Sequence, residues 1–179
     1  MEEHKEIRIA GFGGQGVILA GIILGKAASL YDRKAATMTQ SYGPESRGGA
    51  CSADIVIGSE SIDYPRVTSP DVLLAMSQEA YALNLPKVRP DGVVVIDTDL
   101  VQPGAAPPVR LKTVSATRLA DQLGKRVVAN MILLGFFTAL TGLVSEQAMR
   151  KAIQSSVPAR FASLNLRAFE IGLEQGHNA

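Results

Sequence analysis

The chain has one cysteine and two histidines in 179 residues, and this shortage removes several functions at once. Cys51 alone cannot hold an iron–sulfur cluster, which takes about four protein ligands. It can form no disulfide within the chain, a usage that fits a reducing cytoplasm. No histidine stands near it in sequence to suggest an activated thiolate. His4 and His177 fall in ends expected to fray, so a histidine general base is not expected. Charge of one sign is lacking too. Eighteen Lys and Arg against 17 Asp and Glu leave no electrostatic case for nucleic acid or an anionic membrane. The N-terminus, Met1 to Glu6, is charged and is not a secretory signal. Repeats, low-complexity segments and linkers are missing, which with the length predicts one domain over 1–179.

A membrane-length apolar run is also missing. The longest, Met131 to Val144, is broken by Gly135, Thr138, Thr141 and Gly142 and is shorter than the ~20 residues of a span. It reads as a buried core helix or one pressed against another subunit. If partly exposed it is a patch for a second copy to cover, predicting a homodimer when the chain is made alone.

What is present is an alternation of strand-like and helix-like runs. Ile7 to Ala10, Ala35 to Thr39, Ser52 to Gly58, Val72 to Met76, Val93 to Asp97 and Val109 to Val114 read as strands. Ser61 to Tyr64 is expected to pair with Ser52 to Gly58 as a hairpin across Gly58-Ser59-Glu60. Helices are predicted over Val17 to Tyr31, Gln78 to Leu85, Ala116 to Leu123, Asn130 to Leu143, Ser145 to Ser155 and Ala159 to Glu174, with Ser145 as an N-cap. This order predicts an α/β fold: a three-layer sandwich around a central sheet, mostly parallel, or mixed if the hairpin forms.

Two glycine-rich loops carry the functional signal. Gly11-Phe12-Gly13-Gly14-Gln15-Gly16 lies between the first strand and first helix, where backbone N–H groups can face an anion. Gly11, Gly13 and Gly16 match the dinucleotide pattern, but that site needs an acid after the second strand, and Gln40 stands there. Asp32 precedes the strand instead, so an ordinary NAD site is not expected. The bland alternative is close strand–helix packing. Gln15 stands where its amide could reach a phosphate, a polar substrate or a neighbouring chain. The second loop runs from Gln40 to Gly49. Ser41, Tyr42 and Gly43 lead into a Gly-Pro turn, Arg47 offers a fork of donors for a carboxylate or phosphate, and Gly48 and Gly49 free the backbone. The alternative is a solvated loop with a Glu45–Arg47 pair. Ser77 is a plausible N-cap, Gln78 and Tyr81 candidates to line the same crevice, and Asn130 an N-cap or a packing polar group. Asp97 and Asp99 end a strand without a third ligand for a metal.

The combined string is more specific than either loop. Gly-Phe-Gly-Gly-Gln-Gly at 11–16, Gln-Ser-Tyr-Gly-Pro-Glu-Ser-Arg-Gly-Gly at 40–49, Ile-Asp-Tyr-Pro at 62–65 and Met-Ser-Gln-Glu-Ala-Tyr at 76–81 resemble the gamma subunits of 2-oxoacid:ferredoxin oxidoreductases. The second loop is most similar to the 2-oxoglutarate branch, with Ser46 where alanine is common. Indolepyruvate oxidoreductase small subunits share the first loop but less of the second. The resemblance covers Ile7 to Gly172. It implies a complex that decarboxylates a 2-oxoacid, makes an acyl-coenzyme A and reduces ferredoxin, using thiamine diphosphate, Mg2+ and iron–sulfur clusters. It implies alpha and beta partners, with a ferredoxin-like delta subunit in some forms. This chain lacks a cysteine set for a cluster and the Gly-Asp-Gly segment that holds the magnesium diphosphate, so it is expected to be inactive alone. The loops, Gly11, Gly13, Gly14, Gln15, Gly16, Ser41, Tyr42, Gly43, Arg47, Gly48 and Gly49, are the expected cofactor-binding residues, with coenzyme A preferred. A free-standing nucleotide-binding regulatory domain is the alternative.

Overall fold

The computed structural model describes residues 4–43, 48–105 and 109–179. Six strands, β1 (Lys5–Phe12), β2 (Ala35–Tyr42), β3 (Ala50–Gly58), β4 (Val72–Ala75), β5 (Val93–Asp97) and β6 (Arg110–Val114), form one sheet in the order β2-β3-β1-β4-β5-β6. β3 runs antiparallel to both β1 and β2, while β1, β4, β5 and β6 are mutually parallel. The sheet is therefore mixed, but the expected hairpin is corrected. Residues 61–64 form no strand; both edges of β3 are taken by β1 and β2, leaving no ladder to join. The 59–71 segment crosses over β1 as a loop instead. It is tied there by the Glu6 carboxylate, which accepts from the Thr68 and Ser69 N–H groups at 3.0 and 3.1 Å.

Six helices flank the sheet: α1 (Val17–Lys26), α2 (Gln78–Asn84), α3 (Ala116–Gln122), α4 (Ala129–Thr141), α5 (Glu146–Ser156) and α6 (Ala159–His177). The pleat sends alternate residues to opposite faces. Ile7, Ile9, Ile55, Leu74 and Val95 join the large core with α1 and α3 to α6. Ala10, Leu73, Ala75, Val94 and Ile96 join a smaller one with Ala80 and Tyr81 of α2. The result is the three-layer sandwich, with five helices on one face and a single helix on the other. The run expected as one helix to Tyr31 stays α-helical only to Lys26, then widens to a π turn over Ala27–Tyr31. Arg33 follows with φ of 55°. Asp32 anchors this bend by accepting from the Ser145 N–H and hydroxyl, each at 2.6 Å, while the Ser145 hydroxyl caps α5.

The apolar run in α4 does not form an exposed patch. Met131, Ile132, Leu133, Leu134, Phe136 and Phe137 are each no more than 1% exposed. α6 covers them at close range, because Gly135 meets the α6 backbone and Gly172 meets the backbone of Ile132 and Phe136. The two histidines are not frayed either. His4 packs its ring on Gly58, and His177 ends α6 with Nε2 3.1 Å from Glu146 Oε1.

Candidate functional site

Helix α1 leaves one face of the sheet after β1, and α2 leaves the other after β4. Their divergence makes a crevice beyond the carboxyl ends of β1 and β4, the usual ligand position in an open α/β sheet. Here Gln15 fills it. Its Oε1 accepts from the Phe12 N–H at 2.7 Å and its Nε2 donates to Met76 O at 2.7 Å. Gly11 is glycine because a Cβ would strike Gln15 Oε1 and come 2.9 Å from Met76 Cβ. The Gln15 amide, expected to be available to a phosphate or neighbour, is used within the chain. Gln15→Leu leaves a donor and an acceptor unpaired, and is expected to cost about 1–3 kcal/mol in urea unfolding.

The rest of the first loop is shaped by tight approaches. Gly14 and Gly16 have φ of 94° and 77°, a region where side chains are strained. Asn130 is not an N-cap but the second residue of α4; its Nδ2 donates to Gly16 O at 3.2 Å and abuts the Gly16 Cα. Asp32, the remaining acid for a dinucleotide ribose, is engaged by Ser145.

The two glycine loops meet. Gly13 N–H donates to Gly49 O at 2.9 Å, extending the β1–β3 ladder by one pair, and a Cβ on Gly13 would lie 3.2 Å from Gly48 N. Gly43 N–H donates to Ala50 O at 2.7 Å, extending the β2–β3 ladder in the same way. Arg47, Glu45 and Ser46 lie outside the described residues.

Below this junction, on the α2 side, no described helix covers the sheet over β2, β3 and part of β1, because the one short helix on this face cannot span it. A cleft of 720 Å³ results. Its floor holds Thr39, Ser41, Ser52 and Asp54 with Arg8, and α2 and residues 65–67 form walls. Gly11, Ser41, Tyr42 and Gly43 line it, whereas Gly13, Gly14, Gln15, Gly16, Gly48 and Gly49 do not. Gln78 and Tyr81 also lie elsewhere: Gln78 Oε1 accepts from the Gln102 N–H at 2.7 Å, and Tyr81 is buried in the smaller core. Ser77 does cap α2, accepting from the Ala80 N–H. Cys51 lines the cleft, but burial pushes its thiol pKa up, away from the reactive thiolate.

Several cleft residues escaped the sequence reading. Arg8 donates to Asp54 through Nε and a terminal nitrogen at 2.7 and 2.6 Å, to Asn84 Oδ1 at 3.2 Å and to Val67 O at 3.0 Å. It joins β1, β3, α2 and the crossover loop. The hydrogen bonds to Asp54 raise the Arg8 pKa further. The available signal was a charge of each sign inside two apolar strands. Arg66 and Lys87 add cationic side chains to the wall, and exposed Tyr42 and Leu83 add apolar surface. The arrangement suits an extended anionic ligand with apolar parts.

Residues 6–175 match the family described as pyruvate ferredoxin/flavodoxin oxidoreductase. The chain is 49% identical over 174 residues to the 2-oxoglutarate synthase subunit KorC of Methanocaldococcus jannaschii, covering 96% of this chain and 93% of that one. The corresponding subunit of Methanothermobacter marburgensis is 50% identical over 178 residues, with 96% of each chain covered. The crystal structure of the keto/oxoacid ferredoxin oxidoreductase gamma subunit from Geobacter sulfurreducens PCA superposes with a TM-score of 0.87 at 40% identity, over 98% of this chain and 99% of that one. With the fold, the paired loops and the full-length likeness in agreement, this chain belongs to the pyruvate ferredoxin/flavodoxin oxidoreductase family.

Proposed function

We propose that the chain is the gamma subunit of a 2-oxoglutarate:ferredoxin oxidoreductase, in which other subunits carry out the redox chemistry. That complex oxidatively decarboxylates the 2-oxoacid, transfers the acyl group to coenzyme A and passes two electrons to ferredoxin. The observation that carries this reading is the near-full-length identity, in both directions, to 2-oxoglutarate synthase subunits. The chain's own donors do not fit the resident cofactors. One cysteine cannot hold an iron–sulfur cluster. The sequence also lacks the Gly-Asp-Gly segment that the resemblance gives as the holder of the magnesium diphosphate. Those groups belong to alpha, beta and, where present, delta partners.

The part this chain plays is to help receive coenzyme A. Arg66 and Lys87 on the cleft wall supply charge for its phosphates, the second loop is expected to add Arg47, and the Tyr42 and Leu83 side of the cleft suits its apolar arm. The free-standing nucleotide-binding alternative is disfavoured by Gln15, which fills the crevice such a ligand would use. The complex works in the cytoplasm. The chain made alone forms a homodimer, through a surface other than the covered α4.

The test is purification from its native cell by a tag on this chain. Thiamine-binding and ferredoxin-reducing partners are expected to come with it, and the pool is expected to turn over 2-oxoglutarate. In that complex Arg47→Ala is expected to raise the KM for coenzyme A roughly tenfold, the loss of one charge-assisted hydrogen bond, with kcat little changed. Capture of the chain without partners would refute the subunit reading. An unchanged KM would remove only the role given to Arg47.

A further inference from the structure

Among the described residues nothing pairs with the outer edge of β2. β2 is the terminal strand and is eight residues long, and Ala35 to Tyr42 contains no charged residue and no proline. Edge strands of this length are ordinarily blunted by lysine, proline, a bulge or a covering segment, because their free N–H and C=O groups recruit other strands. The register with β3 is unbroken from Ala35↔Gly58 to Tyr42↔Cys51, so there is no bulge. The Gly43–Ala50 bond fixes the phase of the ladder. Antiparallel alternation then turns the backbone of Thr37, Thr39 and Ser41 toward β3, and that of Ala36, Met38, Gln40 and Tyr42 outward. Next to this edge, α1 and the turn after it present Ile22 at 39% and Leu30 at 64% exposure. Lys26 is the only charge from Val17 to Tyr31.

We propose that this edge is a two-fold interface between two copies of the chain, with β2 pairing antiparallel to its counterpart and Thr39 opposite Thr39. The strand's own register accommodates a second copy. With Thr39 on the axis, every outward-facing backbone position meets another: Ala36 meets Tyr42, and Met38 meets Gln40, each twice. Ala36 sets a small side chain against a large one, while Thr37 opposite Ser41 and Thr39 opposite itself set hydroxyls against hydroxyls. No like charges are brought together. A slip of one residue would place outward groups against inward ones and lose the ladder. The symmetry closes after two copies, so the pairing does not propagate into a filament. The two α1 helices come to the same side of the joined sheet, where Ile22 and Leu30 leave water. Thr39, Ser41 and Tyr42 line the cleft, so the clefts of the two copies become continuous across the axis. The inference stands on geometry alone and is independent of the reaction assigned above.

The test uses the full-length chain. Sedimentation velocity at high micromolar concentration is expected to show a dimer. Opposed Thr39 Cα atoms in such a non-hydrogen-bonded pair lie about 4.5 Å apart, within reach of a disulfide. Thr39→Cys is therefore expected to give a covalent dimer under mild oxidation. Thr37→Cys, which carries the same Cys51, is expected not to, whereas a mixture of Thr37→Cys and Ser41→Cys chains is. Gln40→Pro removes an outward N–H in each copy without touching the bonds to β3, and is expected to weaken association roughly tenfold or more. A wild-type chain that sediments as a monomer would overturn the proposal. So would a dimer in which Thr39→Cys cross-links no faster than Thr37→Cys.

Discussion

Gly172→Ala is expected to destabilise the chain by about 3 kcal/mol or more. A Cβ at this position would strike Ile132 O and lie 2.8 and 2.9 Å from Ile132 C and Phe136 N. These are backbone atoms inside α4, which cannot swing aside as a side-chain tip can. α4 and α6 would have to separate, and Phe136, Phe137 and Phe169, all fully buried, would lose packing against their neighbours. Urea unfolding of the purified chain measures the change. Gly25→Ala is the matched control, because nothing lies within 4 Å of its would-be Cβ. On an open helix face, alanine is expected to raise stability by about 0.5–1 kcal/mol. If the two substitutions cost the same, close helix contact is not what requires Gly172.

The second large effect is expected at the cleft floor. Arg8→Met should cost about 2–3 kcal/mol, since it leaves a mostly covered carboxylate and two further acceptors without their donor. Arg8 and Asp54 side chains are 12% and 13% exposed, and the substitution also leaves Asn84 Oδ1 and Val67 O without their donor. The double change Arg8→Met with Asp54→Leu removes the orphaned carboxylate and should recover a substantial part of the loss. The single and double variants form a cycle that isolates the pair from the packing of the two side chains. A single variant as stable as the wild type would show that water replaces the guanidinium, and that Arg8 does not join the crossover loop to α2.

Most elements were legible because their signals are local. Apolar residues at a spacing of two or of three and four mark strands and helices wherever they stand, and Ser77 and Ser145 announced the helix starts that they cap. The one misread strand shows the limit. Ser61 to Tyr64 follows a turn after β3 and looked like its partner, yet partnership is decided by which strands flank β3 in the finished sheet. β2, a weak signal taken by itself, flanks β3 because it pairs over all eight of its residues.

The site divides in the same way. Both loops were visible as clusters of glycine with polar neighbours, since positive φ and close backbone approach demand glycine at particular positions. Their contact, Gly13 to Gly49, joins residues 36 apart in sequence and follows from the insertion of β3 beside β1. Gln15 looked available as a ligand because its amide nitrogen has no local partner; Met76, brought alongside by the parallel β1–β4 pair, accepts from it, while the nearby Phe12 N–H donates to its oxygen. Arg8 and Asp54 were unremarkable apart and became an ion pair at the cleft floor only through register.

By itself, then, the order of residues determined the kinds of segment, the two glycine turns, the family and the absence of ligands for a redox centre, since these depend on near neighbours or on composition. Tertiary structure alone decided which apolar faces remain open. α4, the longest apolar run, is sealed by α6 because Gly135, Gly172 and Gly176 let the helices close, whereas among the described residues the uncharged strand β2 has a partner on one side only, because the sheet ends there. Burial is a property of what arrives from elsewhere in the chain, and no local pattern encodes it.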